Sequence, residues 1–242
     1  MYAVKTEKLT KKYKDKTAVD SLDLSIKEGE LYGLLGVNGA GKTTTMKMLT
    51  TLVMPTSGDA ELLGHSIKTD SAAVKNLIGI SPQESAAAMN LSAKENLELM
   101  AEIYGFKKDE SRAKANEMLE RFSMQEFAGR REKKLSGGEL RRLSIAMALI
   151  SEPKILFLDE PTLGLDVISR HNLWTEIEKL KGKVTIILTT HYLEEAVSLC
   201  DRIGIMSHSK LRAEGTADEL VANSGESDFE KAFVKLTNGG DF

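Results

Sequence analysis

The sequence predicts an α/β protein whose parallel β-sheet carries helices on its faces and whose middle is an all-helical insertion. Short apolar runs alternate with helical patterns in both flanking parts of the chain, as expected for a parallel sheet with crossover helices. From about residue 85 to residue 151 the pattern is helical only. A glycine-rich turn also joins an apolar strand to a helix early in the chain, which is where an α/β protein commonly binds its ligand.

The composition is that of a globular domain with nearly balanced charge. The chain has 242 residues, of which 41% are hydrophobic, and a formal net charge of −3 from 33 basic and 36 acidic residues. This apolar content excludes wholesale disorder, and the charge balance gives no basis for a nucleic-acid partner, so we expect none. The lysine-rich run Lys5–Lys16 is interpreted as a solvated face. The single cysteine, Cys200, is interpreted as a buried thiol in a reducing compartment.

The first strands predict a small antiparallel layer beside the main sheet. Three short runs precede the glycine-rich turn, at Tyr2–Leu9, Leu22–Ile26 and Leu31–Leu35. Runs of this length bounded by turn residues are typical of antiparallel strands. After the turn and its helix, Ser57–Gly64 is predicted to form either a hairpin or a turn with a strand, and Leu77–Ser81 a buried strand.

The glycine-rich turn is predicted to bind phosphate. Its sequence, GVNGAGKTTT, has the Gly-x4-Gly-Lys-Thr spacing of the phosphate-binding loop. A plain strand–turn–helix connection with a surface lysine is the alternative, but the apolar strand before the turn and the helical pattern after it, which extends to Leu52, favour a ligand site. Loop amides and the helix dipole would surround the phosphates. The assigned residues are Gly36, Val37, Asn38, Gly39, Ala40, Gly41, Lys42, Thr43 and Thr44.

The central block is predicted to contain three helices, SAKENLELMAEIYGF, DESRAKANEMLERF and GGELRRLSIAMALI. Ser92 and Asp109 are the predicted N-caps of the first two. The third begins at Ser136, Gly137 and Gly138, which we interpret as a second anion-binding helix start. Considered alone, these three residues would equally suit an ordinary N-cap serine followed by two glycines.

A buried strand, ILFL, ends in the two acids Asp159 and Glu160. Carboxylates in such a place are costly to bury unless they have a function. An enzyme that hydrolyses a nucleotide at a phosphate-binding loop needs one carboxylate near Mg²⁺ and another to orient or deprotonate the attacking water. We assign the first role to Asp159 and the second to Glu160. Without the loop upstream, two solvated acids at a strand end would be an equal alternative.

The remaining segments complete one predicted domain over residues 1–242. VTIILTTH and RIGIMS are predicted strands, VISRHNLWTEIEKL is a predicted helix, and two short helices around a Ser/Gly turn follow Gly215. We place the α/β core at about 1–84 and 152–214, the helical subdomain at about 85–151 and a helical tail at about 215–242.

Together these segments resemble the ATP-binding cassette (ABC) ATPases over nearly the whole chain. LSGGE at Leu135–Glu139 resembles the family signature LSGGQ and stands shortly before the strand with the two acids. In family order, Tyr13 matches the aromatic that stacks on adenine, Gln83 the Q-loop glutamine, Leu163–Asp166 the D-loop and His191 the switch histidine. Considered alone, Tyr13 would be a packing aromatic and His191 a satisfied buried histidine.

The resemblance implies a P-loop NTPase (RecA-like) core and a Mg²⁺-dependent ATPase, with ATP and Mg²⁺ as cofactors. The catalytic set it implies is Lys42, Gln83, Glu160 and His191. The Mg²⁺ ligands it implies are Thr43, Gln83 and, through water, Asp159. The ATP-binding set it implies is Tyr13, the phosphate-binding loop and, from a second chain, Ser136, Gly137 and Gly138.

The resemblance also implies a head-to-tail dimer with a second copy of the chain or with a paralogous ATPase subunit. In the family fold, ATP on Lys42 of one chain is covered by Ser136 and Gly138 of the other. Hydrolysis removes the γ-phosphate that both halves hold, so the dimer opens. Gln83 would report the γ-phosphate to the helical subdomain. Glu139 replaces the signature glutamine, and we expect altered or reduced turnover at most.

ELRRLSIAMALISEPKILFLDEPTLGLDVISR and HYLEEAVSLCDRI most resemble the daunorubicin-resistance type of bacterial exporter ATPases. The implied protein is the ATPase subunit of a membrane transporter, held at the cytoplasmic face by separate permease subunits. This suits a sequence in which no stretch approaches the ~18 apolar residues of a membrane span. Drug, lipid, sodium and peptide cargo are all compatible with it, because the permease would select the cargo.

The permease would dock on Glu84–Phe106, where Met89, Leu91, Met100 and Tyr104 offer apolar contact. For Leu97, Met100 and Tyr104, packing within the helical subdomain is the alternative.

The sequence disfavours two other functional classes. A soluble ABC ATPase that acts on the ribosome or on DNA is disfavoured, since the chain shows neither a second cassette with a charged linker nor a long coiled-coil insertion. A nucleotide-binding regulator without turnover is disfavoured because Glu160 and His191 are both present.

Overall fold

The computed structural model describes residues 1–238 and contains two β-sheets with surrounding helices. The strands are β1 (Tyr2–Tyr13), β2 (Lys16–Leu22), β3 (Ser25–Lys27), β4 (Leu31–Gly36), β5 (Ser57–Leu62), β6 (His65–Ser66), β7 (Ile78–Ser81), β8 (Ile155–Asp159), β9 (Thr185–Thr190), β10 (Arg202–Ser207) and β11 (Lys210–Gly215). The α-helices are α1 (Lys42–Leu49), α2 (Ser71–Leu77), α3 (Ala93–Ile103), α4 (Lys108–Arg121), α5 (Gly137–Leu149), α6 (Val167–Glu178), α7 (Leu193–Leu199), α8 (Ala217–Ser224) and α9 (Phe229–Thr237). Between β7 and β8 the regular elements are all helices, with one isolated β-bridge between Ser92 and Arg131.

The larger sheet has the strand order β11-β10-β4-β9-β8-β7. All its pairs are parallel except β10 with the edge strand β11. Every residue of β4, β8 and β9 is buried, which explains why these strands are nearly continuous apolar runs. The carboxyl ends of parallel strands meet at one edge of a sheet, so the segments that follow β4, β7, β8 and β9 lie together there.

The smaller sheet is antiparallel, with the order β2-β1-β5-β6 and β3 also paired to β1. It confirms the predicted layer. Of the segment Ser57–Gly64, residues Ser57–Leu62 form the strand β5, and its hairpin partner β6 begins after Gly64. The predicted strand Leu22–Ile26 was wrong, since the chain leaves the ladder between β2 and β3. There the Asp23 carboxylate accepts a hydrogen bond from the Lys8 amide (2.7 Å) and the Thr6 hydroxyl accepts one from the Leu24 amide (2.8 Å). Side chains thus replace the ladder bonds of a regular strand.

The helices α3, α4 and α5 form the inserted subdomain. α5 joins it to the large sheet, because nearly all of α5 after Arg141 is buried against β7 and β8. Ser92 caps α3 as predicted, accepting a hydrogen bond from the Glu95 amide (3.2 Å). The predicted cap at Asp109 was wrong: the N-cap is Lys107, two residues earlier, because the Glu110 carboxylate accepts from the Lys107 amide (2.9 Å) and fixes the helix start there.

The end of α1 differs from the prediction, whereas the tail helices agree with it. α1 ends at Leu49, and Leu52 is exposed outside it, because Thr51 has a positive φ (60°) that stops the helix. The predicted tail helices are present as α8 and α9, joined around Gly225 with φ 71°. Among residues 1–238, no helix combines the length and the apolar character needed to cross a lipid bilayer.

Candidate active site

A cavity of about 460 Å³ lies at the carboxyl edge of the large sheet, facing the small sheet. It is lined by Tyr13, Lys16, Ala18, Asn38, Gly39, Ala40, Gly41, Lys42, Thr43, Thr44, Gln83, Glu160, Leu163 and His191. Sheet geometry explains the convergence, since four of the contributing segments follow β4, β7, β8 and β9. Lys16 was not predicted from the sequence, and it pairs directly with Tyr13 across the β1–β2 ladder.

The turn before α1 requires glycine at two positions, Gly36 and Gly41. A Cβ at Gly36 would lie 2.3 Å from the Met206 carbonyl oxygen, and one at Gly41 would lie 2.4 Å from that of Ala18. Gly41 also has a φ of 112°, which an L side chain rarely adopts. Gly41 stands at the N-cap of α1 and offers no side chain to the first-turn amides. Those amides and the positive end of the helix dipole can therefore be used by an anion in the cavity.

Lys42 is folded back over this turn. Its ammonium donates to the Gly36 carbonyl (2.7 Å) and the Val37 carbonyl (3.3 Å), and it lies 3.6 Å from a Glu160 carboxylate oxygen. Burial lowers the pKa of the Lys42 ammonium, while the nearby Glu160 carboxylate opposes that change. A buried cation whose partners are weak carbonyl acceptors and one carboxylate at 3.6 Å is placed to exchange them for phosphate oxygens.

The two predicted acids, Asp159 and Glu160, are held in position by Thr189, which was not predicted from the sequence. The Thr189 hydroxyl donates to the Asp159 carboxylate (2.5 Å) and accepts from the Glu160 amide (3.0 Å). Glu160 has a φ of 50°, a left-handed conformation that is uncommon for a residue with a side chain. The available sequence signal was weak, since Thr189 is one of three threonines in the strand TIILTT; its register partner is Asp159.

The oxygen donors present suit a magnesium ion. The Thr43 hydroxyl lies 3.4 Å from an Asp159 carboxylate oxygen, and hydroxyl and carboxylate oxygens are hard ligands of the kind that Mg²⁺ prefers. The described residues contain no cluster of three or more His, Cys, Asp or Glu side chains that could hold a metal. An ion at Thr43 and Asp159 would thus complete its coordination with water and substrate phosphate oxygens, as Mg²⁺ commonly does.

His191 lies beside Glu160. Its Nδ1 is 2.5 Å from a Glu160 carboxylate oxygen, and its ring packs on that of Tyr192 with centroids 4.2 Å apart. The Arg170 guanidinium covers the Tyr192 ring at 4.6 Å. His191 is therefore held by a carboxylate on one side and by a supported aromatic ring on another, which restrains its position at the cavity.

The predicted second anion site lies apart from this cavity: within the described chain, Ser136, Gly137 and Gly138 are not among its lining residues. They begin α5, where Ser136 and Glu139 cap one another. The Ser136 amide donates to the Glu139 carboxylate (2.9 Å), and the Ser136 hydroxyl accepts from the Glu139 amide (3.3 Å).

Glu139, the residue that departs from the family signature, thus has a local structural role. Burial disfavours its ionised form, but hydrogen bonds from Ser136 and Arg130 outweigh burial and lower the pKa of Glu139. Arg130 also forms an ion pair with its carboxylate. The negative charge of Glu139 is therefore balanced within its own chain.

The segment predicted to receive a permease is only partly buried. The exposed fraction is 64% for Met89 and 40% for Tyr104. It is 68% for Ile103, which was not assigned from the sequence. Leu97 is fully buried and Met100 packs partly on the core of the subdomain. For Leu97 the packing alternative therefore applies, whereas Met89 and Tyr104 offer apolar surface to a partner.

Sequence comparison places the chain among known transport ATPases. A protein-family model described as ABC transporter matches residues 19–163. The chain is 43% identical over 224 residues to the daunorubicin resistance ATP-binding protein DrrA3 of Streptomyces coeruleorubidus, covering 92% of this chain and 71% of that protein. It is 38% identical to the probable multidrug ABC transporter ATP-binding protein YbhF of Escherichia coli (strain K12), covering 98% of this chain and 42% of that protein.

Solved structures share the same fold. The structure of an ATP-binding subunit of an ABC transporter superposes with a TM-score of 0.86 and 26% identity, covering 97% of this chain and 99% of that one. The dimeric post-hydrolysis structure of the ATP-binding cassette MJ0796 bound to ADP and Pi has a TM-score of 0.80 and 28% identity, covering 88% of this chain and 98% of that one. These similarities confirm the predicted resemblance and the predicted P-loop NTPase fold.

Proposed function

The chain belongs to the ABC transporter family as one of its ATPase domains, and on that basis we propose that it is the ATP-hydrolysing subunit that powers a membrane exporter. The observation that carries the proposal is the meeting of the glycine-rich turn, Gln83, Glu160 and His191 around one cavity. Relatives named for daunorubicin resistance and for multidrug transport support export. The chain would then act at the cytoplasmic face of the membrane, attached through separate permease subunits.

In the proposed reaction, the turn and Lys42 bind the phosphates of ATP and Tyr13 stacks on adenine. Glu160 orients or deprotonates the attacking water, and His191 contacts the γ-phosphate. Gln83 senses the γ-phosphate from the junction with the helical subdomain. When bound, Mg²⁺ would be held by Thr43, Gln83 and, through water, Asp159, and it would neutralise charge on the phosphate oxygens.

The proposal includes a head-to-tail dimer. Because Ser136, Gly137 and Gly138 do not line the cavity that holds Lys42, a second chain would supply them to the bound nucleotide. The dimeric structure of the MJ0796 cassette, which has the same fold, supports this arrangement. Each chain would present the same two surfaces, so the interface closes on itself.

We expect Glu160→Gln to dimerise in the presence of ATP, because the nucleotide then stays bound without turnover. The measurement is size exclusion with light scattering, with and without saturating ATP. Adding Ser136→Arg should keep that protein monomeric with its ATP affinity unchanged, while Ser198→Arg, at an exposed serine of α7, should not. A Glu160→Gln protein that stays monomeric at saturating ATP would contradict a self-sufficient homodimer and favour a paralogous partner.

Coupling to the membrane is tested at the exposed part of Glu84–Phe106. Inside-out membrane vesicles from the source cell should stimulate ATP hydrolysis, and Met89→Asp or Leu91→Asp should abolish this stimulation without weakening ATP binding. Val234→Asp is the matched control, since Val234 is an exposed apolar residue on the terminal helix α9. Full stimulation of both variants would place the docking surface elsewhere. Cosedimentation with ribosomes instead of vesicles would favour the soluble class of ABC ATPase.

A further inference from the structure

A buried arginine, Arg141, links the first part of α5 to the carboxyl end of β8. Arg141 is only 8% exposed, and its guanidinium donates to three backbone carbonyls. Nη2 donates to Asp159 (2.6 Å), Nε to Pro161 (2.8 Å) and Nη1 to Pro82 (2.5 Å). The first two carbonyls belong to the residues on either side of Glu160, and the third belongs to the residue before Gln83.

These contacts enclose the peptide units around Glu160. The left-handed backbone of Glu160, with φ 50°, is strained for a residue with a side chain and persists only where the surroundings over-determine it. Arg141 holds the carbonyls before and after the residue, and Thr189 accepts from its amide. The direction in which the Glu160 side chain leaves the backbone is therefore set from both sides.

Attachment of α5 to the sheet does not depend on Arg141 alone. One turn further along the helix, the Ser144 hydroxyl is 2.8 Å from that of Ser81 at the end of β7, and the apolar residues of α5 are buried from Leu143 to Leu149. Burying a guanidinium carries a large desolvation cost, so additional attachment of α5 does not explain Arg141 well. Its burial lowers the pKa of Arg141 to about 10. The placement of its donors around Glu160 suggests a more specific role.

We propose that Arg141 is a positioning residue for hydrolysis, which fixes the Glu160 backbone so that the carboxylate meets the attacking water. This inference rests on the proposed role of Glu160. Because Arg141 lies one helical turn after the Ser136–Gly138 helix start, it also ties the segment that would cover the partner's nucleotide to the hydrolytic carboxylate of its own chain. A displacement of α5 would then reach the Glu160 backbone through two hydrogen bonds, those to the Asp159 and Pro161 carbonyls.

The test compares steady-state ATP hydrolysis of the parent with Arg141→Lys, Arg141→Met and Arg142→Met. Arg142 is the matched control, because it also donates to backbone carbonyls, those of Phe122 (3.3 Å) and Ser123 (3.1 Å), but away from the cavity. We expect both Arg141 variants to lose about 10- to 100-fold in kcat, since small misplacements of reacting groups have effects of that size, with KM and ATP affinity within about twofold of the parent. Arg142→Met should keep the kcat of the parent.

Arg141→Lys keeps the charge and most of the volume, so it guards against a trivial folding defect, which thermal unfolding will report. A second measurement separates positioning from general damage. In single-turnover assays, Arg141→Lys added to Glu160→Gln should cause no further loss, because both changes act through the same carboxylate. A parent-like kcat for Arg141→Lys and Arg141→Met, or fully additive losses in the double variant, would overturn the inference. Retained hydrolysis by Glu160→Gln alone would instead overturn the proposed role of Glu160 on which this inference rests.

Discussion

Glu160→Gln should lower ATP hydrolysis by about 10²–10⁴-fold, the usual contribution of a positioned general base, and leave the affinity for ATP close to that of the parent. Glutamine keeps the size of the side chain, and it can still accept a hydrogen bond from His191, which is 2.5 Å from the carboxylate in the parent. It cannot take a proton from water. The change therefore removes the chemistry while it preserves the shape of the cavity. The measurement is phosphate release at saturating ATP together with calorimetric titration of ATP.

The control for this prediction must account for the unusual backbone of Glu160. Glu152 is also an acid with a left-handed backbone, with φ 54°, but its side chain is exposed and pairs with Lys114. Glu152→Gln should hydrolyse ATP at the rate of the parent. If Glu160→Gln does so as well, the base role assigned to Glu160 is wrong, and a water activated by the substrate phosphate becomes the better account.

The parts of the site that the sequence predicted are those that follow strands directly. Gln83, Glu160 and His191 each come immediately or almost immediately after an apolar strand. In a parallel sheet that local position is enough to bring them to one edge. The loop spacing and the two acids at the end of β8 predicted the phosphate-binding loop, Asp159 and Glu160, whereas Gln83 and His191 were assigned through the resemblance to the ABC ATPases.

The residues that were missed act through pairing and packing. Thr189 reaches Asp159 because β8 and β9 have one particular register. Arg141 reaches Asp159 and Pro161 because the packing of α5 places this residue beside the carboxyl end of β8. Neither fact follows from local propensity, since a threonine in a strand and an arginine in a helix are ordinary. The N-cap of α4 was missed for a similar reason. The Glu110 carboxylate accepts from the Lys107 amide, so Lys107 and not Asp109 is the N-cap.

The departure at Glu139 has a physical explanation consistent with an active site. A glutamine at this position could cap the Ser136 amide in the same way, so the acid keeps the geometry and adds a charge. Arg130 pairs with that charge, which limits the repulsion a nucleotide phosphate bound by Ser136 would meet. The expectation of altered or reduced turnover, and not of an inactive enzyme, therefore stands as a prediction.

Lys42→Ala should weaken ATP binding by about 10- to 100-fold, the equivalent of losing one or two hydrogen bonds to charged oxygens. The Lys42 ammonium is held by the Gly36 and Val37 carbonyls and lies 3.6 Å from a Glu160 carboxylate oxygen. These protein contacts already position it beside the turn, so little ordering cost offsets the contact that is lost. Calorimetric titration with ATP and Mg²⁺ measures the change, and Lys47→Ala, at an exposed lysine of the same helix, should bind as the parent does.

A second consequence of Lys42→Ala separates ligand binding from stability. Removing the cation leaves the buried Glu160 carboxylate without its nearest ammonium partner, which should lower the melting temperature because an uncompensated buried charge is destabilising. Adding Glu160→Gln removes that charge, so the double variant should regain thermal stability but not ATP affinity. If the double variant regains affinity as well, the loss in Lys42→Ala came from a distorted turn, and Lys42 does not bind phosphate. Affinity that stays low when stability returns identifies Lys42 as a direct ligand of the nucleotide.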